Sequence, residues 1–204
     1  MRAFWQLLKQ NKSFVWIAAG LMVGSSVIGF VMHDEVQPIV KEMLKQLQDV
    51  VENIAADHTF TNIFWTIFLN NTKAAFIMLA SGLLFGLYPA IALLSNGFML
   101  GFIISDAALR YGESPLRLFV TQIMPHGMFE LPAIIIAGGF GIKFGWLAIG
   151  WIRSLWNPGL RTAVSRDTRT TVRRLPLLCI GVVALLLVAA TIESALIAMA
   201  SVSP

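Results

Sequence analysis

Charged residues are scarce in this sequence. Only 13% of its 204 residues are Asp, Glu, Lys or Arg, whereas charged residues make up about a quarter of an ordinary soluble domain. The apolar share is 57%, and several apolar runs are long enough to cross the roughly 30 Å hydrocarbon layer as helices. This composition excludes a soluble globular protein. It predicts an all-α fold, a polytopic bundle of membrane helices that forms one domain over residues 1–204.

Cysteine and catalytic motifs are also nearly missing. The single cysteine, Cys179, has no partner in the chain for a disulfide. The sequence contains no HExxH motif, no P-loop, and no serine or cysteine beside a base in a recognisable pattern. We therefore expect a protein that is not an enzyme, with no cofactor, no metal site and no nucleic-acid partner.

Five apolar runs are each predicted to form a membrane-spanning helix. They cover residues 14–32, 74–94, 96–110, 118–141 and 175–200. The turn-forming pair Asn96-Gly97 is expected to separate the second run from the third, and Pro176 is expected in the first turn of the last helix. Residues 60–70 are interpreted as a helix in the plane of the interface. Residues 143–151 either extend the fourth run or lie flat.

The distribution of charge predicts the orientation of these helices. Residues 33–59 are mainly acidic, whereas residues 153–174 contain six arginines and one acidic residue, Asp167. Because basic loops stay in the cytoplasm, we interpret residues 153–174 as a cytoplasmic loop and residues 33–59 as external. The amino terminus is then cytoplasmic and the carboxyl terminus external.

Two segments outside the apolar runs are candidate contact surfaces. Residues 33–59 have apolar side chains at helical spacing, which predicts an amphipathic helix on the membrane, on a partner or on its own bundle. The basic segment is expected to contact anionic lipid or a cytoplasmic protein. Its candidate contact residues are Arg161, Arg166, Arg169, Arg173 and Arg174.

Small residues are placed where helices can approach closely. Four GxxxG pairs occur, at Gly20/Gly24, Gly82/Gly86, Gly97/Gly101 and Gly141/Gly145. Such spacing lets helix backbones touch in lipid, where the hydrophobic effect does not drive helices together. The pairs predict a tight bundle, and they leave open a homo-oligomer in which one pair faces another copy of the chain.

The stretch PHGMFELPAIIIAGGFG, residues 125–141, places polar groups inside the fourth apolar run. A charged Glu130 near the middle of a span costs about 2.5 to 3.5 kcal/mol on insertion scales. His126 lies one helical turn earlier, so the two side chains share a face and form either a neutral or an ionised pair. The sequence leaves that choice open.

Prolines flank this pair and disturb the helix. Pro125 is expected to break the chain just before His126, and Pro132 to kink the helix and free backbone carbonyls. Asn96 is a candidate to satisfy those carbonyls, and Gly97 lies beside it. The six residues together are either a functional or gating site at the midplane, as in a transporter or channel, or a structural polar clasp.

Three segments resemble one protein family. The pair Asn70-Asn71, SNGFMLG at residues 95–101, and PHGMFELPAIIIAG at residues 125–138 are similar to the stage II sporulation protein M family of bacterial membrane proteins. This resemblance implies a non-catalytic component of the engulfment machinery in the cytoplasmic membrane, which works with two peptidoglycan-degrading enzymes. The family also occurs in bacteria that do not sporulate.

Together, the residues and the resemblance predict a membrane scaffold that recruits extracytoplasmic cell-wall hydrolases and contacts membrane lipids. The alternative is a transporter or channel with a midplane site at His126 and Glu130. The two differ physically, because a transporter needs a cavity at Glu130 that water can reach. A scaffold needs only a satisfied polar contact there.

Overall fold

The computed structural model describes residues 2–46, 48, 52, 54 and 59–202, and for residues 43, 44, 46, 122, 126 and 200–202 it describes the backbone alone. Every regular element within these ranges is a helix. Five of the described helices are long and apolar enough to cross a membrane. This confirms the all-α polytopic bundle that the sequence predicts.

The described helices are closely connected in sequence except between the third and the fourth, where most of residues 47–58 lie outside the described range. In chain order they are α1 Arg2–Gln10, α2 Lys12–Val31, α3 His33–Gln46, α4 Phe60–Ser81, α5 Leu87–Tyr111, α6 Pro115–Leu118, α7 Met124–Trp156 and α8 Arg161–Val202. A π-helical turn, Phe119–Ile123, joins α6 to α7. A 3-10 turn, Pro158–Leu160, joins α7 to α8. The helices capable of spanning are α2, α4, α5, α7 and α8.

Helices α2 and α5 run side by side in the same direction. Gly97 of α5 lies against Met22 of α2, and Gly101 lies against Ser26 further along both helices. A Cβ atom at either glycine would collide with the backbone of α2. The GxxxG pair therefore brings these two backbones into direct contact, as small residues do in membrane bundles.

A second pair of glycine motifs joins the α4–α5 turn to α7. Gly82 lies against Gly141, and Gly86 lies against Gly145. Together with the Gly97/Gly101 pair, three of the four predicted GxxxG motifs therefore pack helices within one chain. The remaining pair, on α2, has open space where its Cβ atoms would be.

The turn between the second and third spans is not where the sequence predicted it. Helix α5 continues through Asn96-Gly97, where the Asn96 side-chain amide donates to the Ala92 carbonyl at 2.8 Å. The chain instead reverses at residues 82–86, where Phe85 has a φ of 60° and Gly86 a φ of 73°. An asparagine can bond its own helix in this way, so its turn preference is overridden.

The predicted in-plane helix is also wrong as a separate element. Residues 60–70 are the first half of α4, which continues to Ser81. The Thr59 hydroxyl accepts a hydrogen bond from the backbone N–H of Asn62 at 3.4 Å and caps the start of this helix. The second span therefore starts earlier along the chain than predicted.

The basic segment is mostly helical rather than a loop. Helix α8 begins at Arg161, and Pro176 lies inside it rather than in its first turn. Helix α7 continues to Trp156, which confirms the alternative that residues 143–151 extend the fourth run. The end of α7 and the start of α8 thus form a helical hairpin, within which Gly150 lies close to Val164.

The acidic segment at residues 33–59, predicted to be external, is helical over the part that the structure describes. Helix α3 packs Val36 and Val40 against Phe102 of α5, whereas Ile39 is 58% exposed. Part of the predicted amphipathic helix, at residues 47, 49–51, 53 and 55–58, lies outside the described residues. Helix α3 therefore covers one end of its own bundle.

The two ends of the bundle carry different polar residues. The Lys143 end contains Asn11, Lys143, the turn at residues 82–86 and the α7–α8 hairpin. The Asp106 end contains Asp106 and His33, which approach each other at 3.5 Å. Between them lies an apolar core around Phe140.

Candidate functional site

Two of the predicted site residues, Asn96 and Glu130, line one cavity among α2, α5 and α7. Its volume is about 330 Å³. Glu130 is half-buried and engaged by a neighbouring group. The remaining wall carries no charge and consists of Met22, Met99, Leu100, Ile103, Ile123, Gly127, Leu131 and Ile134. The structure thus brings together a carboxyl and an amide in an otherwise apolar cavity.

The start of α7 places Glu130 in this cavity. Residues 115–156 are helical without interruption, so the predicted break before His126 is wrong. Pro125 lies at the start of α7, directly after the π-helical turn. Pro132 lies inside the helix and is exposed. The side chain of His126 lies outside the described part of the chain, so its pairing with Glu130 stays a prediction.

Gly97 belongs to a helix contact rather than to the cavity. It faces α2, where an added Cβ would collide with the Ser25 hydroxyl and the Met22 carbonyl. Asn96 and Gly97 are neighbours in sequence, but successive residues of a helix point about 100° apart. The two residues were predicted to act together because Asn-Gly pairs favour turns. In the helix, Asn96 lines the cavity, whereas Gly97 contacts α2.

Below the cavity, a packed apolar layer separates Glu130 from the Lys143 end. Leu93, Ala133, Ala137 and Phe140 are each at most 1% exposed. A Cβ atom on Gly138 would come within 2.7 Å of the Leu93 side chain. The packing here is dense, so the cavity at Glu130 ends on a close-packed apolar layer.

A second polar site, at Lys143, was missed by sequence reasoning. Lys143 is 5% exposed, and its ammonium donates to Asn11 Oδ1 at 2.6 Å and to Asp167 Oδ1 at 2.9 Å. The Thr171 hydroxyl donates to the Asp167 carbonyl at 2.8 Å. We call Asn11, Lys143, Asp167 and Thr171 the Lys143 joint, because they connect the α1–α2 corner, α7 and α8.

A signal for this joint is present in the sequence. Lys143 is the sole charged residue between Glu130 and Arg153, and Asp167 is the sole acid among the arginines that follow. A buried ammonium must be paired to be tolerated. Two isolated charges of opposite sign in neighbouring helices could therefore have been matched.

The five candidate arginines divide into one group of three and two residues that lie apart from it. Arg161, Arg166 and Arg169 line a groove of about 660 Å³ together with Trp151 and Pro158. Arg174 instead donates to the Gln10 side chain and lines a cavity of about 100 Å³ beside Lys143. Arg173 is exposed. The predicted contact surface is thus concentrated in three residues of the first two turns and a half of α8.

The Asp106 end has its own ionic cluster. Arg110 Nε lies 2.6 Å from Asp106 Oδ2, and His33 Nε2 lies 3.5 Å from Asp106 Oδ1. The His33 ring stacks on Phe102 with ring centroids 4.6 Å apart. Within the described residues, no group of three or more His, Cys, Asp and Glu side chains is placed to hold a metal ion.

Comparison with known proteins identifies the family. The family model described as stage II sporulation protein M matches residues 13–196. An uncharacterized protein of Methanocaldococcus jannaschii is 37% identical over 99 residues, which are 48% of this chain and 51% of that relative. The chain therefore matches about half the length of this relative. No solved structure matches the chain. Because the family model covers nearly the whole chain, the protein belongs to the stage II sporulation protein M family of membrane proteins.

Proposed function

We propose that the protein is a non-catalytic scaffold of the bacterial cytoplasmic membrane that positions peptidoglycan hydrolases during envelope remodelling such as engulfment in sporulation. The proposal rests on one observation: within the described residues, the buried polar groups of the bundle connect helices to one another and do not line a continuous path. The Lys143 joint ties three parts of the chain together through Asn11 and Asp167, and a packed layer underlies Glu130. Both features favour a rigid support over a conduit.

The proposed orientation follows from the position of the arginines. Arg161, Arg166 and Arg169 lie at the Lys143 end, so that end faces the cytoplasm under the positive-inside rule. Helix α3 and the Asp106 end then face outward, where cell-wall enzymes work. The three arginines are proposed to hold the Lys143 end against an anionic leaflet, with about 1 kcal/mol from each charge near the surface.

Helix α3 is the proposed contact for a hydrolase. It uses Val36 and Val40 to pack on the bundle and leaves its acidic residues exposed, including Glu35 and Glu42. Lys45 pairs with Glu42 at 2.9 Å, so the acidic character of the surface proposed to face outward is concentrated at the start of the helix, where Asp34 and Glu35 are exposed. Such a surface supports specific and oriented association with a basic partner.

Site-specific crosslinking in cells tests the recruitment. A photoreactive residue at Gln48, which is exposed, is expected to capture a peptidoglycan hydrolase, and the same residue at Ser165 is expected to capture none. Purified protein should release no peptidoglycan fragments. Capture from Ser165 alone, or peptidoglycan cleavage by the purified protein, would contradict the scaffold.

The Glu130 cavity supports a second candidate function, a transporter or channel for a proton, ion or small solute. This candidate is supported by the Glu130 carboxyl and the Asn96 amide, which line the same cavity. Ionisable groups within membrane helices are often functional. In liposomes, a transporter should dissipate an imposed pH gradient, and Glu130→Gln should abolish the flux. Liposomes of the parent protein that hold the gradient would exclude proton transport through this site.

A further inference from the structure

An apolar cavity of about 460 Å³ lies at the Lys143 end among α4, α7 and α8. Its wall along α8 runs from Thr168 to Cys179, a distance of about 16 Å at 1.5 Å per residue. That length is close to half of the roughly 30 Å hydrocarbon layer, which is the thickness of one leaflet. The cavity therefore has the length and the polarity to hold one acyl chain.

The arginine groove adjoins this cavity. Arg161, Arg166 and Arg169 line it, and within the described residues none of them forms an ion pair with a carboxylate. The nearest acid in sequence, Asp167, is bonded to Lys143 instead. Guanidinium groups bind phosphate oxygens through charge-assisted hydrogen bonds. The groove thus presents uncompensated donors suited to a phosphate.

Trp151 connects the cavity and the groove, because its side chain lines both. The indole N–H donates to the Thr168 hydroxyl at 3.0 Å, which fixes the ring at the boundary between apolar and basic walls. Tryptophan is favoured at membrane interfaces, where one part of the ring is apolar and the N–H is polar. Along α8, Arg161 and Arg166 precede Thr168, which holds the indole, and Arg169 lies level with it. Val172, Leu175 and Cys179 of the cavity wall follow, so the order is that of headgroup and chain in a leaflet.

We propose that this composite site binds one anionic phospholipid, with its phosphate on Arg166 and Arg169 and one acyl chain in the apolar cavity. The inference rests on the lipid contact proposed above and makes it specific: a single bound molecule rather than general attraction to a charged surface. A bound chain fills the space between α4 and the α7–α8 hairpin. The lipid thereby becomes part of the packing at the Lys143 end.

Lipid binding is measured on delipidated full-length protein in a neutral detergent, by native mass spectrometry and thermal unfolding. Phosphatidylglycerol is expected to bind at one molecule per chain and to raise the unfolding temperature. Phosphatidylcholine should bind at least about tenfold more weakly, given roughly 1 kcal/mol per arginine. Glycerol 3-phosphate tests the headgroup alone. Equal stabilisation by glycerol 3-phosphate would show a phosphate site and overturn the acyl-chain part.

Two pairs of variants test the two halves of the site. Ala80 is exposed on the cavity wall, so Ala80→Phe should block the chain, whereas Ala74→Phe on the same helix is the control. Arg166→Gln with Arg169→Gln should weaken phosphatidylglycerol binding roughly ten- to thirtyfold. Arg173→Gln, which removes an exposed charge outside the groove, should have little effect.

The blocking variant also separates this inference from general membrane adsorption. Ala80→Phe should lose the single bound lipid but keep its salt-sensitive adsorption to phosphatidylglycerol vesicles, because all arginines remain. Ala148→Phe, from the α7 side of the cavity, should behave in the same way and guards against a misfolded first variant. If both variants fold and still bind one phosphatidylglycerol as tightly as the parent, the site does not exist. If the arginine variant loses vesicle adsorption but still binds one phosphatidylglycerol as tightly as the parent, the arginines serve only the general contact and the composite site is refuted.

Discussion

At the scale of single residues, the buried charge of Lys143 has unequal partners. Lys143 has a side chain that is 7% exposed, whereas the Asp167 side chain is 48% exposed. Water hydrates Asp167 readily if the lysine is removed, whereas Lys143, enclosed except for the cavity of about 100 Å³ beside it, is hydrated less well if the carboxylate is removed. The two ends of this ion pair should therefore respond differently to mutation, because an unpaired buried charge is the costly state.

We expect Asp167→Ala to lower the free energy of unfolding by about 2 to 4 kcal/mol, and Lys143→Met to lower it by less than half as much. In the Lys143→Met background, Asp167→Ala should cost under about 1 kcal/mol. Thermal unfolding in detergent gives all three values. Glu42→Ala, which removes an exposed ion pair to Lys45, is the control and should change little. Equal losses from the two single variants would refute the asymmetry.

Substitutions of Glu130 should also change stability. The sequence already predicts this effect, and the position of Glu130 in a largely apolar cavity supports it. Glu130→Gln keeps a hydrogen-bonding group of the same size and should fold nearly normally. Glu130→Leu leaves neighbouring polar groups unpaired and should reduce the free energy of unfolding by roughly 1 to 3 kcal/mol. Unfolding in detergent measures both. A Leu variant as stable as the parent would mean that Glu130 has no structural role.

At the scale of helices, the contact between α7 and the α4–α5 turn determines where the chain reverses. Phe85 and Gly86 both have positive φ, and an added Cβ on Gly145 would collide with their backbone atoms. This contact explains the misplaced turn in the sequence analysis. Asn96-Gly97 has the local composition of a turn, whereas the real turn is stabilised by glycines from a distant part of the chain.

The number of membrane spans could be predicted from composition, whereas the residues at which the helices begin and end could not. Apolar length predicts five spans whatever their packing. The start of α8 at Arg161 could not be read from charge, since the polar face of its first turns is satisfied by Lys143 and Trp151 from α7. Glu130 and Asn96 stood out as polar residues in apolar runs. Lys143 and Asp167 were also visible as isolated charges, but their contact follows from the packing of α7 against α8.

Gly145→Ala tests the contact at the turn. The new methyl group would meet the backbone of Phe85 and Gly86, which is held in the left-handed region and cannot yield easily. We expect a loss of about 1 to 3 kcal/mol or more in the free energy of unfolding. Gly20→Ala on α2 is the matched control, because its Cβ meets open space. Equal stability of the two variants would show that the close approach is not required.

At the scale of the whole molecule, neighbouring contacts give each helix a direction. α2 and α5 are parallel through Gly97 and Gly101, and α7 returns from the Glu130 cavity to the Lys143 joint. The α7–α8 hairpin turns the chain again at residues 158–160. Three spans, α4, α5 and α7, therefore lie between α3 and the arginines, the odd number that opposite sides of a membrane require.

This arrangement makes a topology prediction that does not depend on which function is right. In a Cys179→Ala background, a cysteine at Gln48 should react with an impermeant thiol reagent in intact cells. A cysteine at Ser165 should react only after permeabilisation. Both positions are exposed, so a difference in labelling reports the side of the membrane rather than burial. Labelling of Ser165 in intact cells would place the arginine groove outside, away from the cytoplasmic leaflet, and would reverse the orientation on which the scaffold and its lipid contact are argued.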